Sequence, residues 1–174
     1  MAAAWGMAAD HNGSMVNPVE QIVIERADAV DAQWILHAYL DDVVSRYHGR
    51  PVTEDEMTVA LREFPSGDLI EPAGLLLVAR VDGQPSGCVG LRLLPDGVGE
   101  VTRLFVVNAA RGSGLGLRLM QTLELTAADR GLNVLRLDTR SDLVEARGLY
   151  ARLGYREVGP FNDGPYARVR QLDV

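Results

Sequence analysis

Cysteine is nearly absent from this sequence: the single Cys88 excludes an internal disulfide, and its place in an apolar strand-like run makes it a buried inert thiol rather than a nucleophile. Long apolar runs are absent too. No stretch approaches the roughly 18 uninterrupted apolar residues of a membrane helix, and the N-terminus has neither a basic segment nor a continuous apolar one. A cytoplasmic protein with no membrane partner is expected. Basic charge is in short supply, for the net charge is −7. That excludes nucleic acid as the main partner, because phosphate contacts need a basic face, whereas an acidic surface would sooner draw a cationic amine. Histidine is scarce, with 3 in the chain. His37 and His48 fall on or just after the first helix as solvated or capping residues, and no His/Cys/carboxylate spacing suggests a metal. Repeats and low-complexity linkers are missing, so nothing marks a second domain. What is there, 174 residues with 47% hydrophobic content, suits one domain with a substantial core.

Residues 1–19 mix Ala, Gly, Asn, Ser and Pro without a period and are expected to form a disordered extension, with Met7 and Met15 as alternative starts. The domain then spans 20–174. Residues 21–25 are β-branched and short, a first strand. Asp28 can cap a helix running to about Tyr47, stopped by Gly49 and Pro51. Thr53 and Glu56 have capping-box spacing and open a second helix to about Glu63, ended by Pro65. Apolar runs 75–81 and 85–94 flank Asp82-Gly83, a strong hairpin signal. A second turn at Pro95–Gly97 feeds a strand over 99–107. Leu115, Leu119, Met120, Leu123 and Ala127 recur at helical spacing, with Gly131 as the stop. A strand over 134–138 follows, parallel to the one before because a helix connects them. Asp142 with Glu145 can cap a further helix to about Leu153, and strands at 155–158 and 166–172 end the chain.

The stretch from Val101 to Met120 is the functional centre: a β-type run, a glycine-rich turn and an amphipathic helix. In the turn, Arg111, Gly112, Gly114 and Gly116 leave backbone amides uncovered where the helix starts, an anion site by geometry. The helix dipole adds between a few tenths and about 2 kcal/mol for a phosphate there. A P-loop would need Gly-Lys-Ser/Thr, but Leu117 follows Gly116, so that reading fails. A dinucleotide fingerprint needs G-x-G-x-x-G, whereas these glycines are spaced G-x-G-x-G. A plain glycine-rich turn is the bland alternative.

What remains is R-x-x-G-x-G after a Leu-Phe-Val strand, which closely resembles the pyrophosphate loop of the GNAT acetyltransferase superfamily. A second motif, from Ala146 to Tyr155, resembles the A-x-x-L-Y-x-x-x-G-F segment of that family, with Tyr155 in place of Phe. The resemblance covers residues 21–172 and implies the GNAT fold, an α/β (α+β) domain of order βααβββαβαββ. Its central mixed sheet is mostly antiparallel, with two splayed parallel strands. It also implies acetyl-CoA as co-substrate, with Leu104, Phe105 and Val106 on the pantetheine side and Arg111 to Leu117 on the phosphate side. Where many relatives have an asparagine that contacts the coenzyme, this chain has Leu143. The segment Asn162 to Tyr166 resembles a loop of one bacterial subgroup; it either lines the acceptor site or is plain turn chemistry.

The activity this implies is N-acetyl transfer to a primary amine of a small molecule or protein, by direct attack in a ternary complex. A catalytically idle acyl-CoA sensor of the same fold is the alternative. Tyr150, the tyrosine of the second motif, matches the family's general acid; its other role would be core packing. Glu100 and Asp138, at the start and end of the two parallel strands, are the candidate bases. Glu100 is preferred for its longer reach; the bland alternative is that Glu100 is a solvated strand residue and Asp138 is paired with Arg136, Arg140 or Arg103. Oligomeric state, monomer or homodimer, and the acceptor itself stay open.

Overall fold

The computed structural model describes residues 20–159 and 169–173. The expected 1–19 extension and the Asn162–Tyr166 loop lie outside the described residues. The strands are β1 Glu20–Glu25, β2 Gly74–Val81, β3 Gln84–Leu94, β4 Val98–Val106, β5 Val134–Arg140, β6 Arg156–Val158 and β7 Val169–Asp173. The helices are α1 Val30–His48, α2 Glu54–Glu63, α3 Leu115–Asp129 and α4 Val144–Arg152. This is the expected order, and the strands form one mixed sheet arranged β1-β2-β3-β4-β5-β7-β6.

The continuous apolar run of β2 is explained by cover on both faces. Leu75, Leu77 and Ala79 pack with Leu119, Met120 and Leu123 of α3, while Leu76 and Val78 pack with Ile35 and Leu36 of α1. The β2–β3 hairpin turns at Asp82 and Gly83, whose φ values of 50° and 79° are those a two-residue primed turn demands. Thr53 and Glu56 exchange both bonds of the capping box, Glu56 N–H donating to Thr53 Oγ1 at 3.3 Å and Thr53 N–H to Glu56 Oε2 at 3.0 Å. Gly131, in the left-handed region at φ 74°, ends α3 as expected.

Two expected caps are corrected. The α1 N-cap is Ala29, without a side-chain bond. Asp28 instead forms a two-point pair with Arg26 at 2.9 and 2.7 Å. Likewise α4 starts after Leu143, again uncapped, because Asp142 takes the guanidinium of Arg140 at 2.9 and 2.8 Å. A charge-assisted pair two residues away outcompetes a bond to a helix amide.

Strand β4 carries the feature that shapes the site. Its register against β3 slips between Cys88 and Gly90, opposite Arg103, which adopts φ 56°. An extra residue at a bulge exchanges the faces of everything beyond it. Val101 accordingly packs on the α3 side and Phe105 on the α1 side, although an unbroken strand would point both the same way. A non-glycine residue in the left-handed region costs roughly 1 kcal/mol or more. Arg103 is held there by bonds to the Phe64 carbonyl (3.0 Å), the Pro65 carbonyl (3.3 Å) and Ser66 Oγ (3.2 Å).

Candidate active site

Parallel strands β4 and β5 pair only from Val98↔Val134 to Glu100↔Arg136. Beyond that point β4 bends away at its bulge and continues against β3, while β5 continues against β7. A gap opens between them. It leads into a cavity of about 740 Å3 lined by Glu100, Leu104, Asp138 and Tyr150 among others, so residues from three elements meet there.

Tyr150 is 6% exposed, and its hydroxyl has no hydrogen-bond partner among the described residues. Burial, with the nearby Tyr39 and the Asp138 carboxylate, pushes its phenol well above the ordinary range. It therefore stays a proton donor across the physiological range. Its ring leans on Tyr155 at 5.7 Å, so it also packs α4 on the sheet.

The two carboxylates differ in their surroundings. Both oxygens of Glu100 accept from guanidiniums, Oε1 from Arg92 at 3.0 Å and Oε2 from Arg136 at 3.4 Å. Arg136 thus reaches Glu100, and Arg140 reaches Asp142. Asp138 is exposed on β5, near enough to Tyr150 and Tyr39 for its charge to act on both phenols.

At the other end of β4 the glycine-rich turn enters α3. Gly112 and Gly114 adopt φ 81° and 83°, which favour glycine, and Gly114 is the α3 N-cap. Gly116 is helical, and a Cβ there would meet Leu149 and Val106 at ordinary distances of 3.5 and 3.7 Å. Two of the three glycines are therefore needed for backbone conformation. Arg111 and Ser113 N–H groups bond within the turn, and that of Leu115 donates to Ser113 Oγ at 3.4 Å. The amides of Gly112, Gly114 and Gly116 have no acceptor among the described residues, which fits an anionic ligand.

Arg111 is turned away from the role given it as a phosphate partner. Its Nε donates to the Val106 carbonyl and Nη2 to Asp42, each at 3.0 Å, with the guanidinium 5.8 Å from the Phe105 ring. The guanidinium beside the turn is that of Arg118, bonded to the Ser113 carbonyl at 3.1 Å and paired with Glu20. Its position four residues after Gly114 was the available signal, since i and i+4 share a helix face. Phe105 and Val107 line a second cavity of about 950 Å3, with Trp34 and His37. Arg103, 8% exposed and 5.4 Å from the Tyr39 ring, was also missed; an arginine at an inward phase of an apolar strand was its only mark. Burial raises the Cys88 thiol to about 12, so it is inert.

Comparison with known proteins follows the same geometry. The profile of the Acetyltransferase (GNAT) family matches residues 36–155. The chain is 38% identical over 99 residues to an "IAA acetyltransferase" of Azospirillum brasilense, covering 56% of this chain and 63% of that protein. It is 36% identical over 123 residues to a mycothiol acetyltransferase of Actinosynnema mirum, covering 62% of this chain and 41% of that protein. The chain thus spans under two thirds of either relative. Among solved structures, an acetyltransferase of the GNAT family from Staphylococcus aureus aligns with a TM-score of 0.70 at 15% identity, covering 89% and 98% of the two chains. The PaiA N-acetyltransferase of Thermoplasma acidophilum, in complex with coenzyme A, aligns with a TM-score of 0.69 at 17% identity, covering 88% and 98%. Since the matched segment runs from α1 through the bulged strand, the glycine-rich turn and the splayed gap to Tyr155, the chain belongs to the GNAT acetyltransferase family.

Proposed function

We propose that residues 20–174 form an N-acetyltransferase domain that moves the acetyl group of acetyl-CoA to a primary amine by direct attack in a ternary complex. The observation that carries this reading is the largely buried Tyr150 at the cavity between β4 and β5, together with the uncovered amides of the glycine-rich turn that follows β4. A long ligand with a polyanionic end and a reactive thioester end suits that pair of features. The proposed contacts are Leu104, Phe105 and Val106 along the strand and Arg111, Gly112, Ser113, Gly114, Leu115, Gly116 and Leu117 at the phosphates. Arg111 would have to leave the Val106 carbonyl to join them, and Arg118 stands beside the turn as a second cation.

Acetyl-CoA supplies an activated acyl carbon and a thiolate leaving group. An amine with pKa near 10.4 is about 3.4 units above pH 7, so presenting it neutral costs roughly 4 to 5 kcal/mol. A carboxylate can accept that proton as the amine attacks. Asp138, exposed on β5 with its charge acting on the Tyr150 phenol, is the carboxylate assigned that role, directly or through water. As the carbon–sulfur bond breaks, Tyr150 donates its proton to the sulfur and is reprotonated from solvent. The test is release of free CoA thiol from acetyl-CoA with a panel of amines. Release above a no-amine control supports the enzyme; tight acetyl-CoA binding without amine-dependent release supports the sensor reading.

A further inference from the structure

Cationic side chains border the cavity beside Tyr150, and all but one are paired with carboxylates. Arg92 lies between Asp68 and Glu100, Arg140 takes Asp142, and His48 sits 3.5 Å from Glu56. Arg103 is the exception. It is 8% exposed, and its hydrogen bonds all go to neutral acceptors, the Phe64 and Pro65 carbonyls and the hydroxyls of Ser66 and Thr102. Among the described residues no carboxylate forms an ion pair with it. The two titratable groups close enough to feel its charge supply none either, for burial raises the Tyr39 phenol and pushes the Cys88 thiol up to about 12, so both stay neutral. A buried charge is costly unless it is paired. Carbonyl and hydroxyl dipoles lower that cost but leave the charge itself uncompensated. The same residue carries the strained φ of 56° at the bulge, and strain of this kind collects at ligand clamps.

Resting on the acetyl-transfer reading, we propose that Arg103 determines specificity by binding a carboxylate of the acceptor, which is therefore an amino acid or a close analogue with amine and carboxylate in one small molecule. A planar guanidinium suits a carboxylate, and the Thr102 hydroxyl, which accepts from Arg103 on the cavity wall, can turn its own proton to the same anion. The guanidinium carbon lies 5.4 Å from the Tyr39 ring, and Tyr39 and Asp138 are near enough to Tyr150 for their charges to act on its phenol. One aromatic side chain thus separates the carboxylate site from the reacting end, which matches the short spacing of the two groups in an amino acid. Val43, Val44 and Tyr47 of α1 offer an apolar wall to the remaining side chain. A simple amine fills the same space and leaves the buried charge without a partner.

The test uses leucine, methionine and phenylalanine, each beside the amine that lacks only its carboxylate. All are titrated calorimetrically into the protein saturated with CoA and assayed with acetyl-CoA. At least one acid is expected to bind about tenfold or more tighter than its amine, as a charge-assisted bond to a buried group would give. Arg103→Gln removes the charge and keeps an amide donor for the 64–66 carbonyls, and in it that ratio should fall to about one; Arg103→Lys should keep part of it. A purely structural role at the bulge would weaken acid and amine alike and leave the ratio unchanged, which overturns the assignment. Wild-type protein decides by itself should the variants fail to fold, because the inference is also overturned if none of the acids outdoes its amine. Carboxylate-dependent binding without turnover overturns acetyl transfer and leaves the Arg103 site standing; turnover of amines with no gain from the carboxylate does the reverse.

Discussion

The two halves of the sheet are built on opposite principles. From β1 to β3 the pairing runs nearly the whole strand length, and β2 is buried at every position but Arg80. From β4 to β5 the pairing lasts three residue pairs, a charged residue is buried at a bulge, and a buried tyrosine lines the cavity. Near-continuous pairing gives stability; withheld pairing and strain mark the candidate ligand site. Substitutions in the first half should therefore be read as loss of fold, and those in the second as loss of ligand or turnover.

The largest effect is expected at Gly74 in the regular half. A Cβ there would lie 2.5 Å from the carbonyl oxygens of both Asp68 and Leu91, and backbone cannot give way as a flexible side chain can. Gly74→Val should cost at least about 3 kcal/mol and lower Tm by roughly 10 °C in calorimetry. In the open half, Gly114→Val adds a strained φ and a Cβ 2.9 Å from the movable Arg118 guanidinium. Acetyl-CoA affinity should fall on the order of a hundredfold, as bonds to a charged ligand are lost, with a much smaller drop in Tm. Equal losses of fold in the two variants would erase the contrast.

Tyr150→Phe sharpens it further, because the ring stays and the oxygen goes. Turnover is expected to fall about a hundredfold while Tm and acetyl-CoA affinity hold, and near wild-type kcat would leave Tyr150 a packing residue. The direction of its shift sets the pH profile: a phenol raised by burial remains protonated, so kcat should show no basic limb from this group below about pH 10. A smaller effect separates the carboxylates. Asp138→Asn should lower kcat/KM at neutral pH by about tenfold or more, whereas Glu100→Gln should lower it much less. The reverse pattern would return the role to Glu100.

The smallest effect concerns α2, the wall of the cavity. Arg50, together with the capping box, holds the Glu56 carboxyl down from 4.5 to about 2. A depressed carboxyl contributes its stability above pH 4.5 and loses it as pH falls toward 2. Glu56→Gln should thus lower Tm only slightly near neutral pH, with the gap from wild type closing through that window. A difference that persists at pH 2 would assign the effect to helix capping alone.

The element order, the Asp82-Gly83 hairpin, the Thr53–Glu56 capping box and the two motifs around Gly114 and Tyr150 were all readable in the residues themselves. Each depends on spacings within about ten positions, and over such distances side-chain type and backbone period act directly. Where local chemistry offered two answers, at Asp28 and Asp142, the nearby arginine won, and the caps inferred from spacing were lost to it. Tertiary structure alone decided the rest. Glu100 is engaged by an arginine 36 positions away and Arg111 by an aspartate 69 positions away, contacts that exist only once the register across β3, β4 and β5 is set. That register turns on one extra residue at Arg103, which moves Phe105 to the opposite face from Val101 and opens the gap. A bulge leaves no period in the sequence, because its cause is the pull of the 64–66 segment on a guanidinium from across the fold.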